Sequence, residues 1–199
     1  MTPLLKKLIH EFQFLPGIGE KTAQRFVHYI FSRQHSRARQ FATTLLATPD
    51  QIQHCHICRN LSETDICSLC NETGRDSQLL CVVEHPSNVH IIEATGTYQG
   101  RYFVLHGALS PIDGIGPRDI GIYQLAKVIQ QHNTQELIIA TSSKIEGEAT
   151  AYYLHEQFQN ILQTTRLAYG MPIGGTLDYI DGQTLARALH NRSSMESSD

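Results

Sequence analysis

The sequence predicts an α/β protein: a helical N-terminal region, a small cysteine module, a mostly parallel sheet with helices on both faces, and a short C-terminal segment. Three observations carry that reading. Apolar residues between 3 and 46 recur at helical spacing, four cysteines stand in two C-x2-C pairs, and β-rich runs alternate with helical stretches from residue 79 onward. The expected boundaries are 1–54, 55–77, 78–175 and 176–199.

Thr2-Pro3 is a helix start, a capping hydroxyl followed by proline in the first turn. Leu4, Leu5, Leu8, Ile9 and Phe12 then share one face. A second helix carries Ala23, Phe26, Val27, Ile30 and Phe31, and a third opens at Ser36 and is expected to bury Ala38, Phe41, Ala42, Leu45 and Leu46. Past the cysteines, "LLCVVE", "YFVLH", "ELIIAT" and "TTRLAYG" read as strands, with helices near 87–95, 119–132, 147–160 and 182–190. The tail "SSMESSD" is expected to be disordered.

A hydrophobic content of 41% supports a real core and excludes wholesale disorder. No stretch reaches the roughly 18 apolar residues of a membrane span. The opening "MTPLLKKLIHEF" sets lysines inside an amphipathic pattern, unlike a signal peptide, so a soluble cytoplasmic protein is expected. The overall charge of −3 argues against nucleic acid, but its distribution does not. Residues 1–50 carry seven Lys/Arg against three acids, whereas residues 79–199 carry seven against twelve. A polyanion would therefore meet the N-terminal end, although the same charges suit an ordinary solvated helix face.

"LPGIGEKTAQRF", residues 15–26, joins the first two helices. Gly17 and Gly19 allow a tight turn with bare backbone, and the unpaired N–H groups opening the next helix favour an anion. Lys21 and Arg25, four apart, project beside that turn and suit a backbone phosphate. A plain αα-hairpin with a glycine turn is the competing reading. "GEKT" imitates the end of a P-loop, but Leu15 and Glu20 occupy its required glycines and a helix precedes it, so nucleotide binding is rejected.

Cys55, Cys58, Cys67 and Cys70 form C-x2-C, eight residues, then C-x2-C. Two thiolate pairs facing one ion are what structural zinc prefers, and four cysteine ligands leave no open position for catalytic water. Disulfides suit secreted chains, and a redox C-x-x-C usually stands once near a βαβ unit. His54 and His56 are read as spectators, and Cys81 as a small buried hydrophobe.

The turn around Leu15, Gly17, Ile18, Gly19 and Ala23 resembles the helix-hairpin-helix motif of DNA repair proteins. "DGIGP", 113–117, repeats the glycine spacing but follows a strand and reads as a loop; the resemblance implies a second hairpin supplied by a partner subunit. Residues 79–170 resemble a Toprim domain, in which a glutamate after the first strand joins a later D-x-D around magnesium. Glu84 matches the glutamate, while Thr141-Ser142-Ser143 stands at the D-x-D position and Glu146 and Glu148 follow it. Hydroxyls replace hard carboxylates poorly around magnesium. A relict metal site, with Glu84, Glu146 and Glu148 left for partner contact, is expected.

The whole order, with "LPGIGEKTAQR", "CVVE", "GRYFVLHGALSPIDGIGP", "EGEATAYYL" and "GGTLDYIDGQTL", resembles the RecR family of bacterial recombination mediators. That resemblance implies a non-enzymatic DNA-binding protein, a tetrameric ring around DNA acting with RecO and RecF to load RecA on gapped strands. It implies hairpins paired between subunits, DNA contacts at Lys21, Arg25, Gly17 and Gly19, one structural zinc per chain, and a Walker-B-like assembly segment bearing Asp178 and Asp181. Read alone, those two aspartates are helix caps. The chain departs from the family pattern at Ser142-Ser143, usually Asn-Pro, at Thr176, usually Glu, and in its acidic tail. The rival reading is a small Toprim nuclease holding Mg²⁺ with Glu84, Glu146 and Glu148; a subunit without DNA contact is a third.

Overall fold

The computed structural model describes residues 1–33, 35–168, 174, 176–190 and 192. The chain divides into two compact units, Met1–Gln53 and His54–Asp199.

The first unit is helical: α1 (Pro3–Gln13), α2 (Glu20–Arg33) and α3 (His35–Gln51). Thr2 caps α1, its hydroxyl accepting from the Leu5 N–H at 3.4 Å, with Pro3 in the first turn. Ile9, Ala23 and Val27 form the buried centre, and Leu5, Leu8, Phe12 and Ile18 pack around it. Ala23 is fully buried because its lack of bulk lets α1 and α2 close on each other.

The expectation for α3 needs correction. None of its residues is buried, and Phe41, Leu45 and Leu46 are 55%, 59% and 79% exposed. Phe31 of α2 and Leu4 of α1 are exposed as well. The physical cause is a shortage of partner surface: the narrow α1–α2 core is already filled by Ile9, Ala23 and Val27. What remains is a groove of about 790 Å³ lined by Leu8, Phe12, Ile30, Phe41, Ala42 and Leu45.

At the boundary between the units begins the two-stranded pair β1 (Gln53–His54) and β2 (Leu61–Ser62), and the short α4 (Ser68–Asn71) of the second unit follows. That unit continues as β3 (Asp76–Val83), α5 (Pro86–Glu93), β4 (Gly100–Val104), α6 (Ile122–His132), β5 (Glu136–Ala140), α7 (Ile145–Phe158) and β6 (Gln163–Arg166). A short 3₁₀ turn (Leu177–Tyr179) and α8 (Gly182–His190) follow.

The larger sheet runs β4-β3-β5-β6, and every pairing in it is parallel. Alternation along β3 separates its two faces. Leu80 and Val82 join the larger core with Leu125, Val128, Ala151 and Leu154 of α6 and α7, while Cys81 and Val83 join Val89 of α5. Helices therefore cover both faces. Helix α6 starts at Ile122 instead of 119, because Gly121, at φ 78°, holds a left-handed conformation just before it. Strand β6 stops at Arg166; residues 169 and 170 of the expected strand, and the tail 193–199, lie outside the described residues.

Within this sheet β3 comes first in the chain, with β4 on one side and β5 on the other. The winding reverses there, so a crevice is expected beyond the carboxyl ends of β3 and β5.

Candidate metal centre and nucleic-acid interface

The four cysteines converge. Their Sγ atoms all lie within 4.8 Å of one another, the only such grouping of three or more His, Cys, Asp or Glu among the described residues. Cys55, Cys58 and Cys67 are buried, and all five cysteines are free thiols. Zinc at about 2.3 Å from each sulfur would set the sulfurs about 3.8 Å apart; Cys58 and Cys67 stand at 3.5 Å. Backbone N–H groups already point at the sulfurs, Cys67 to Cys55 at 3.3 Å and Asn60 to Cys58 at 3.5 Å. Hydrogen bonds from Cys58 and Cys70 pull the Cys67 thiol down to about 2, while the same bond, with burial, pushes Cys58 up. Thiolates this crowded cannot all ionise without a cation between them, so the donor set fits a closed, tetrahedral metal. His54 and His56 are exposed and outside the cluster; His54 stacks on His106 at 4.1 Å.

The module is bolted to the sheet behind it. The Val104 N–H donates to the Cys58 carbonyl at 2.8 Å. Arg75 donates to Glu72 at 2.7 Å, to Glu93 at 2.9 and 2.5 Å, and to the Gly100 carbonyl at 3.0 Å.

At the strand ends, Glu84 follows β3, and its Oε1 accepts from the Ser142 N–H at 2.8 Å. Thr141 donates through its hydroxyl to the Gly147 carbonyl at 2.9 Å. Gly147 has no room for a side chain: a Cβ would collide with Ser142 and sit against Glu84. Glu146 is exposed on the first turn of α7. Glu148 is bound elsewhere, in a two-pronged ion pair with Arg166 at 2.7 and 2.8 Å and a longer contact to Arg187 at 3.2 Å. The structure thus brings Glu84 to the D-x-D position but does not gather Glu84, Glu146 and Glu148 around one point.

In the helical unit, Gly17 takes φ 79° in the turn, and the Gly19 carbonyl accepts from Ala23 at 3.0 Å to start α2. That left-handed angle is one only glycine adopts without strain. Lys21 and Arg25 are both exposed, four residues apart on the opening turns of α2. In the C-terminal segment, Asp178 and Asp181 are exposed. Asp181 caps α8, accepting from the Thr184 N–H at 3.0 Å and from its hydroxyl at 2.6 Å.

Family models cover this architecture part by part. One for the RecR helix-hairpin-helix matches residues 5–48, one for the RecR four-cysteine zinc finger domain 52–71, one for the Toprim domain 78–168, and one for the RecR C-terminal region 170–193. Recombination protein RecR of Xanthomonas oryzae pv. oryzae is 45% identical over 194 residues, covering 97% of this chain and 98% of the relative. The chain belongs to the RecR family. Recombination protein RecR of Coxiella burnetii is 44% identical over 197 residues, 98% of each chain.

Some contacts of this RecR-family chain leave little trace in its sequence. Arg166 and Arg187 engage Glu148 across 18 and 39 residues, a separation no local pattern reveals. Arg59, directly after Cys58 of the cluster, reaches Ile120 across 61 residues, and only its place in the C-x2-C-R-N knuckle hints that its side chain must leave the turn. Gly147 does leave a signal in "EGEA", a glycine where a helix would favour almost any other residue.

Proposed function

We propose that this chain is a recombination mediator that grips the DNA backbone through its N-terminal hairpin, binds one structural zinc, assembles with copies of itself into a ring, and acts with RecO and RecF to load RecA on gapped DNA. The observation that carries the reading is the RecR-family match along 97% of the chain, joined to an exposed Lys21–Arg25 pair beside the Gly17 turn. Cations at a helix start with open N–H groups hold phosphate without reading bases. The uncovered groove of α1, α2 and α3 supports self-assembly, since apolar surface of that extent is seldom left to water. Asp178 and Asp181 belong to the segment assigned to assembly.

The chain is proposed to lack nuclease activity. Hydroxyls stand where two metal-binding carboxylates are needed, Glu84 is engaged by the Ser142 N–H, and Glu148 by Arg166. The test incubates the full chain with end-labelled gapped DNA and Mg²⁺ or Mn²⁺, then resolves strands on a denaturing gel beside a native one. Intact strands with shifted complexes are expected. Cleavage abolished by Glu84→Ala would overturn the non-enzymatic reading.

A further inference from the structure

One residue of the cysteine knuckle holds both feet of the loop running from His106 to Ile120. The Arg59 carbonyl accepts from His106 Nε2 at 2.6 Å, and the Arg59 guanidinium donates to the Ile120 carbonyl at 2.7 Å. The same guanidinium lies 5.7 Å from the centre of the Phe103 ring. Its slot is cut to fit: a Cβ on Gly121 would fall on the guanidinium itself.

The backbone around this contact is uncommon on both sides. Arg59 has φ 61° and His106 φ 62°, left-handed conformations that non-glycine residues keep only when their surroundings hold them. For Arg59 the holder is the knuckle: its N–H donates to the Cys55 carbonyl at 2.9 Å, and the next N–H points at Cys58 Sγ. The turn that aims Cys55 and Cys58 at the cluster centre is thus the turn that aims Arg59 at the loop. At the other end, the Gly107 N–H donates to the Glu84 carbonyl at 3.1 Å, so the first foot of the loop borders the strand-end crevice. The middle is pinned separately, by the Leu109 N–H on the Thr150 hydroxyl at 2.8 Å.

We infer that Arg59 is a positioning residue that couples metal occupancy of the cysteine knuckle to the placement of loop 106–120 beside the Glu84 crevice. A metal that fixes Cys55 and Cys58 fixes the Arg59 backbone, and both feet follow together. Without it the turn relaxes, the left-handed Arg59 is no longer enforced, and both bonds are lost at once. The inference rests on the knuckle holding a metal, which is measured separately in the test.

The test is hydrogen exchange by mass spectrometry on the full chain, zinc-loaded or chelator-stripped, with bound zinc counted in each sample. Residues 105–121 are followed, and β5 with the C-terminal half of α6 serves as control. In the unaltered chain, zinc should slow exchange at the Ile120 foot by roughly tenfold or more, the equilibrium effect of losing one hydrogen bond to a charged group, and by a smaller factor at the His106 foot, where the acceptor is a main-chain carbonyl. Arg59→Ala, which loses the guanidinium but keeps the carbonyl, should keep its zinc yet exchange at the Ile120 foot as fast as stripped protein while the His106 foot stays protected, and Arg59→Lys should restore part of the lost protection. Zinc-loaded Arg59→Ala with unaltered loop protection would overturn the inference. So would loss of zinc from Arg59→Ala and Arg59→Lys alike, or loss of protection across the control segments on stripping, since metal and Arg59 would then hold the fold and not the loop. Absence of bound zinc in the unaltered chain would instead remove the metal reading on which the coupling stands.

Discussion

The carboxylate of Glu84 accepts a hydrogen bond from the backbone N–H of Ser142 at 2.8 Å. These residues follow β3 and β5, the two strands between which the sheet reverses its winding, where parallel sheets open a ligand crevice. In this chain the crevice is bridged by the protein's own backbone. Gly147 permits the approach, because a side chain there would push into Ser142 and Glu84. Gly147→Ala is therefore expected to destabilise the second unit by about 1–3 kcal/mol, the usual cost of overpacking a tight site. A urea midpoint unchanged from the unaltered chain would mean that the loop shifts freely and the bridge contributes nothing.

Arg75 supplies a second prediction, on pH. Its guanidinium is nearly buried and touches Glu72, Glu93 and the Gly100 carbonyl, linking the end of the cysteine module to α5 and β4. Removing it by Arg75→Ala leaves the partly exposed Glu93 carboxylate with only the Tyr102 hydroxyl as partner and should cost about 1.5–3 kcal/mol, the range for hydrogen bonds to a charged group. The Arg75 hydrogen bonds hold the Glu93 carboxyl below the ordinary range, with the Tyr102 hydroxyl, at 2.6 Å, adding to the effect. A depressed acid stabilises the fold fully above its unfolded value of about 4.3 and loses that contribution as pH falls toward the folded value. Stability measured by urea from about pH 6 to about pH 3 should thus fall less steeply in Glu93→Gln than in the unaltered chain. Parallel curves would remove Glu93 from the acid response.

The groove of the helical unit makes a prediction about assembly. Phe41 and Leu45 are more than half exposed on a helix that buries none of its residues. Replacing both by aspartate should leave the helical content intact and shift the protein to smaller species, as read by light scattering after size exclusion. An unchanged mass would place the subunit contact elsewhere.

How much of this can be read from residues alone differs by region, for physical reasons. The cysteine cluster is fully legible, because ligand spacing within a short loop dictates convergence. Strands and helices of the sheet are legible too, since "LLCVV" and "ELIIA" are too short and too apolar for a surface helix. The fate of α3 is not: an apolar stripe shows that a surface wants covering, not whether the covering lies in the same chain. Nor is the fate of Glu148. A carboxylate two residues from Glu146 looks like a metal ligand until Arg166, on a separate strand, is seen to hold it. Asp181, read on its own as a helix cap, does cap α8 through Thr184.

The central claim is that the hairpin holds DNA by its phosphates, and one titration tests it most directly. Gapped DNA carrying a fluorophore would be titrated with the unaltered chain and with Lys21→Ala/Arg25→Ala across a series of salt concentrations, reading anisotropy. If each cation neutralises a phosphate, the double variant should bind more weakly at low salt, irrespective of sequence, and its log–log salt slope should be shallower by roughly 2. Equal affinity and equal slope for the two proteins would contradict the account and move the DNA contact away from the hairpin.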